Sequence, residues 1–148
     1  MTQSGITFSL LASLALLAVQ AAPASAQRGG GRKVVSREIR LIHQHGEEAY
    51  RFAPAKLTVH PGDTLVFRVM GGPPHNIVIA ADNLTPRARA AWNAALPGRV
   101  GDLSGPLLTA VGERYRVVVP AVPPGSYRYY CLSHRAYDET GVITVAEP

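Results

Sequence analysis

Apolar residues in this chain recur mostly with a period of two, and clusters of Gly and Pro break the alternation every few residues. Within Lys33 to Ile42, Val35, Ile39 and Leu41 share one parity and the charges lie mainly on the other, which predicts a first strand. Phe52-Ala53-Pro54 leads into a strand-like Lys56 to His60, and Pro61-Gly62-Asp63 is a turn signal. Thr64 to Met70 then places Leu65, Phe67 and Val69 on one face, so these two runs read as a strand pair joined by the turn. Gly71-Gly72-Pro73-Pro74 interrupts the pattern and His75 to Ile79 resumes it. Thr85-Pro86-Arg87 supplies a capping residue and a first-turn proline ahead of alanine-rich Ala88 to Leu96. A short helix stopped by Pro97-Gly98 is predicted there. Strands return at Arg114 to Val119, Ser126 to Tyr130 and Val142 to Val145, with a turn at Pro123-Pro124-Gly125. About seven or eight short strands with one inserted helix predict an all-β sandwich. There are no internal repeats or heptads.

The N-terminal stretch follows another rule. Ile6 to Ala22 is almost unbroken in its apolar character, and Ala24-Ser25-Ala26 fits a small-x-small cleavage site before Gln27. Residues 1–26 are read as a signal peptide, which implies a periplasmic or otherwise exported protein. The rival is a retained membrane anchor, since the apolar run is about the minimum length for spanning. Residues 27–33, with a glycine triplet between Arg28 and Arg32-Lys33, read as a flexible linker, leaving 34–148 as one domain. The formal net charge of +5 is scattered, so it suggests no nucleic-acid surface and only weak steering toward acidic partners. A single cysteine excludes an internal disulfide. In an oxidising compartment, an unpaired thiol is best protected by burial or by a metal.

That cysteine, Cys131, stands in a loop between two predicted strands, with His134 three residues later and Glu139 five residues after that. The C-x-x-H spacing alone is weak evidence, and by itself it fits a buried cysteine beside an exposed turn histidine better. His75 changes the balance, because it opens a strand directly after a rigid Gly-Gly-Pro-Pro corner. At one end of a sandwich the corner and the loop can meet, and a thiolate with two imidazoles is a soft donor set suited to copper.

The run Phe52-x-Pro54, Val59-x-x-Gly62-Asp63-Thr64-Leu65-x-Phe67, then Pro74-His75-Asn76-Ile77-Val78 resembles the plastocyanin/azurin family of blue copper proteins, the cupredoxins. So does Pro124-Gly125-x-Tyr127-x-Tyr129-Tyr130-Cys131-x-x-His134, closing with Gly141-Val142-Ile143-Thr144-Val145. The likeness covers about Phe52 to Val145 and leaves the stretch Ala80 to Pro106 outside its motifs. It implies a cupredoxin-like Greek-key sandwich and one copper ion, cycling between Cu(II) and Cu(I), on His75, Cys131 and His134. Asn76 would tie the two ligand loops together, and the Pro74 carbonyl lies beside the first ligand. Where the family usually has an axial methionine, this chain has Glu139; its methionines are Met1 and Met70, and Met70 falls in a predicted strand. Stellacyanin-like members and nitrosocyanin resemble it in having an axial oxygen.

A carboxylate ligand favours Cu(II), lowers the reduction potential relative to methionine and couples protonation to redox state. It also makes the site friendlier to Zn(II). If Glu139 points to solvent instead, copper is left with three ligands, or with water or the Pro74 carbonyl. The function expected is electron transfer, without enzymatic activity, in a monomer that meets redox-partner proteins and no nucleic acid. Rivals are a copper-delivery protein, a small copper enzyme with an open coordination position and, last, a structural zinc site. His43 and His45 form an H-x-H pair read as solvated, and His60 is read as an exposed turn residue. Asn83-Leu84-Thr85 is a glycosylation sequon only in a glycosylating host. Tyr127, Tyr129 and Tyr130 are read as core and sheet-surface aromatics.

Overall fold

In a computed structural model, which describes Met1, residues 32–44 and residues 49–147, the chain forms eight strands in two four-stranded sheets. In chain order these are β1 (Ser36–Gln44), β2 (Ala49–Ala53), β3 (Lys56–Val59), β4 (Thr64–Val69) and β5 (Val78–Ile79). The helix α1 (Pro86–Ala95) follows, then β6 (Arg114–Val118), β7 (Gly125–Tyr130), a 3-10 turn (Arg135–Tyr137) and β8 (Thr140–Val145). One sheet has the order β2-β1-β4-β6 and the other β3-β8-β7-β5. The expected sandwich with one inserted helix is therefore present. Its core lies between the sheets, where Ile39, Leu41, Phe67 and Val117 of one meet Val59, Tyr129, Ile143 and Val145 of the other. Alternation with period two sends these side chains inward and the charged residues outward.

The helix forms where its caps predict. Thr85 Oγ1 accepts from the Ala88 amide at 3.2 Å, and Pro86 fills the first turn. Ala88, Trp92 and Leu96, spaced by four, put one face into the core, where Trp92 packs on Tyr127 at 5.5 Å.

Three expectations change. The two runs flanking Pro61-Gly62-Asp63 do not pair with each other: β3 runs parallel to β8, whereas β4 lies between β1 and β6. The turn instead carries the chain from one sheet to the other, and Gly62 supplies its φ of +88°. Side-chain bonds seal it: Asp63, buried, accepts from the amides of His60 (3.0 Å) and Val35 (2.9 Å) and pairs with Arg32. Burial pushes the Asp63 carboxyl up, but Arg32 and the two amides outweigh that and hold it at about 2. Second, β2 is a strand that the pattern missed, pairing Phe52 with Leu41 of β1. Third, the His75 to Ile79 strand shrinks to β5, because the chain pairs His75 with Leu108 and Val78 with Ser104 in isolated bridges. The signal-peptide reading lies outside the described residues apart from Met1, as does the linker apart from Arg32 and Lys33. Among the described residues, no helix is long and apolar enough to cross a membrane.

Candidate metal centre

Gly71 to His75 leads out of β4, Cys131 follows β7 and Glu139 precedes β8, so three strand ends bring the donor side chains to one place. His75 is gripped on both sides. Its backbone exchanges hydrogen bonds with Leu108 at 3.0 and 2.7 Å, and its ring Nε2 donates to the Gly71 carbonyl at 2.8 Å. A carbonyl only accepts, so the Nε2 hydrogen is fixed there and Nδ1 is turned inward. Nδ1 lies 3.1 Å from Glu139 Oε2 and 4.0 Å from Cys131 Sγ.

The Cys131 loop is set by its neighbours. The Cys131 amide donates to the Glu139 carbonyl at 3.0 Å, which extends the β7–β8 ladder by one step and aims both side chains into the same space. His134 starts the 3-10 turn, and Asp138, at φ 56°, reverses the chain so that Glu139 comes back beneath it. His134 Nδ1 sits 3.0 Å from Glu139 Oε2 and 3.5 Å from Cys131 Sγ. The sulfur also accepts from the Asn76 amide at 3.5 Å.

His75, Cys131 and Glu139 are fully buried, and His134 is only 6% exposed. Their donor atoms all lie within 4.8 Å of one another. For His75, burial alone would lower the imidazole pKa. The hydrogen bonds to Cys131, Glu139 and the Gly71 carbonyl outweigh it and push it to about 10. His134 is held below its ordinary value, chiefly by burial and with help from His75 and His43, against an upward pull from Glu139. Glu139 Oε1 is buried and has no hydrogen-bond partner among the described residues. A buried carboxylate with an unpaired oxygen, facing two imidazole nitrogens and a sulfur, has the chemistry of a site for a cation. One thiolate, two imidazoles and a carboxylate fit copper by donor type.

His75, Cys131, His134 and Glu139, the four expected donors, lie in one cluster. Asn76 spans the gap between loops: its Oδ1 accepts from the Leu132 amide at 2.8 Å and its Nδ2 donates to Ser104 Oγ at 3.3 Å. Ser104 thus comes from the stretch that carries no family motif. Pro74 is exposed and serves as the corner that delivers His75. Met70 is 43% exposed, in contrast to the buried donors. His43 is half-buried rather than freely solvated, and His45 lies outside the described residues. His43 stacks on Tyr50 (4.5 Å between centroids, 16°), and Tyr50 stacks on His134 (3.7 Å, 13°). Nothing in the sequence around Tyr50 signals this role. Gly72 makes room for this stack: at φ +64°, an added Cβ would lie 2.5 Å from His43 Cβ and 2.7 Å from Tyr50 Cε1.

A sequence model of the copper binding proteins of the plastocyanin/azurin family matches residues 40–146. The chain belongs to that family. Plastocyanin of Vicia faba is 35% identical over 94 residues, which cover 64% of this chain and 86% of that one. Chloroplastic plastocyanin of Pisum sativum is 35% identical over 94 residues, and the match spans 51% of its length. Among solved structures, plastocyanin from Dryopteris crassirhizoma superposes with a TM-score of 0.59 at 23% identity, covering 74% of this chain and all (100%) of that one. A purple cupredoxin from Nitrosopumilus maritimus gives 0.51 at 25% identity, covering 74% and 98%. This cupredoxin is a copper protein, and the cluster beneath Tyr50 has the donors to hold one ion.

Proposed function

We propose that this cupredoxin is an exported, monomeric electron carrier in which His75 Nδ1, Cys131 Sγ, His134 Nδ1 and the Glu139 carboxylate hold a single copper ion. The observation that carries the reading is the convergence of these four buried donors within 4.8 Å, with Glu139 Oε1 otherwise unpartnered. Bound there, copper supplies a one-electron Cu(II)/Cu(I) couple. The chain's own part is to hold its ligands still. The Gly71 carbonyl fixes the ring of His75, the Cys131–Glu139 backbone bond fixes two donors at once, and Asn76 braces the loop through Leu132. A centre whose donors are locked by hydrogen bonds needs little rearrangement between oxidation states, which is what electron transfer requires. The cover by Tyr50 and the near-complete burial of His134 keep water and anions away, favouring a carrier over an enzyme with an open position. The apolar N-terminal stretch supports export, and the carrier role implies partner proteins that supply and accept the electron.

Absorption and EPR spectra of copper-loaded protein across pH test the reading. Thiolate-to-copper charge transfer is expected in the Cu(II) form and should vanish in Cys131→Ser. Equal loading by Cys131→Ser without any such band in the parent would overturn the thiolate site. If Glu139 is a ligand, Glu139→Met raises the reduction potential and flattens its pH dependence. An unchanged potential at every pH would remove Glu139 from the ligand set while leaving the other three.

A further inference from the structure

The outer face of the β2-β1-β4-β6 sheet carries a row of arginines that the metal site does not use. Arg40 stands directly opposite Arg68 across the parallel β1–β4 pair, and Arg68 directly opposite Arg114 across the antiparallel β4–β6 pair. Arg116, two residues on in β6, and Arg51, opposite Ile42 on β2, point to the same side. With neighbouring strands about 4.8 Å apart, the three registered guanidinium stems occupy a line about 10 Å long. Like charges placed directly across a sheet repel. Only Glu38 among the outward-facing strand residues could offset them, and none of these arginines has an ion pair among the described residues. Arg51 bonds the neutral Gln44 instead, and Arg68 Nε is buried without a partner. Among the described residues, the row therefore has guanidinium donors without a carboxylate partner.

Its place on the molecule matters. Arg68 is followed by Val69 and the exposed Met70, then by Gly71, whose carbonyl fixes the His75 ring. We propose that this face docks an acidic protein, one presenting clustered carboxylates to Arg40, Arg68 and Arg114, beside the corner that carries His75. Guanidinium forks match carboxylates two bonds at a time. The face has arginine without lysine, and exposed Met70 and Val118 flank it. That composition is the one protein–protein contacts favour, since they are enriched in Arg and Met and depleted in Lys. What the partner would exchange rests on the electron-carrier reading; the contact itself does not.

The test uses the reduced, copper-loaded full domain, titrated with poly-L-glutamate while backbone amide NMR shifts are followed. Shifts concentrated on β1, β4 and β6 are expected, with binding that weakens as salt rises. R40E/R114E, both at exposed positions, should weaken binding about tenfold, whereas R87E/R99E, with the same change in net charge, should change it less than about twofold. Equal weakening by both variants would reduce the effect to net charge and overturn the proposal. So would tighter binding, at matched charge, of phosphatidylglycerol vesicles or an oligothymidylate, which would assign the face to a membrane or a nucleic acid. Voltammetry separates the two readings: R40E/R114E should keep a parental redox wave while losing poly-L-glutamate. A parent without any wave would defeat the carrier role and leave the docking result to be judged alone.

Discussion

Replacing Tyr50 by alanine removes a ring that lies 3.7 Å and 13° from His134 and 4.5 Å and 16° from His43, with Tyr137 at 5.0 Å. Each aromatic contact of this kind is worth about 0.5–1.5 kcal/mol beyond area burial, so the two stacks together contribute about 1–3 kcal/mol. The space left behind cannot close easily. Gly72 already approaches the stack so tightly that even a Cβ would clash, and His43 and His134 are anchored in strand β1 and the Cys131 loop. Allowing for a residual cavity and for the half-exposed state of Tyr50, the loss is about 3 kcal/mol. For a domain of this size that is a fall of about 10 °C in Tm. The second effect is chemical: His134 loses its cover, and small anions gain a way to the site. Azide added to copper-loaded Tyr50→Ala should shift the visible spectrum, and azide added to the parent should not. Tyr50→Phe keeps the ring and should stay within about 1 kcal/mol of the parent, with an azide-inert spectrum. A Tyr50→Ala protein that melts within about 2 °C of the parent and ignores azide would show that the stack neither stabilises nor shields the site.

Asn76→Ala should cost about 1–2 kcal/mol, because the Leu132 amide loses its acceptor, and should speed hydrogen exchange at Leu132 by about tenfold or more. Gly141→Ala should destabilise by about 1–3 kcal/mol in urea unfolding, since the new Cβ would sit 2.3 Å from Cζ of the buried Tyr129; ordinary stability there would refute the close cross-strand contact. Asp63→Asn should flatten the acid limb of the stability curve. The Asp63 carboxyl has a folded value of about 2 against 3.8 unfolded, so its contribution is complete above pH 3.8 and disappears as pH falls through 2. That contribution is at most about 2 kcal/mol, and less after solvent screening of the half-exposed Arg32. Denaturant midpoints measured from pH 5 to pH 2 check it, and parallel curves for variant and parent would refute the role.

The donor set was legible because each member stands beside punctuation. His75 follows a double proline, and Cys131, His134 and Glu139 fall between two alternating runs that both had to be strands. The helix was legible for the same reason, with its cap and its stop written locally at Thr85-Pro86 and Pro97-Gly98. Partner choice between strands was not. Period two says which side chains face the core and nothing about which sheet a strand joins, so Lys56 to His60 and Thr64 to Met70 looked like a hairpin. The side chain of Asp63, bonded to Arg32, Val35 and His60, decides otherwise, and those partners are distant in the chain apart from His60. Tyr50 and the Arg40–Arg68–Arg114 row escaped for a related reason. Each gains its meaning from a register that only the folded sheet creates.

The Gly71-Gly72 corner couples these features. The Gly71 carbonyl holds the Nε2 hydrogen of His75, which turns Nδ1 toward Glu139 and Cys131. Gly72, one residue on, is pressed against His43 and Tyr50, so the cover over His134 depends on the same turn. Arg68 and Met70 run directly into it from β4. A side chain at Gly72 would meet backbone strain, at φ +64°, and steric overlap at once, and only movement of the corner or of the stack could relieve both. Moving the corner turns the His75 ring away from Glu139 and Cys131. Moving the stack uncovers His134. The glycine pair therefore does more than break a strand: it lets the imidazole that defines the site and the aromatic cover that shields it occupy adjacent space.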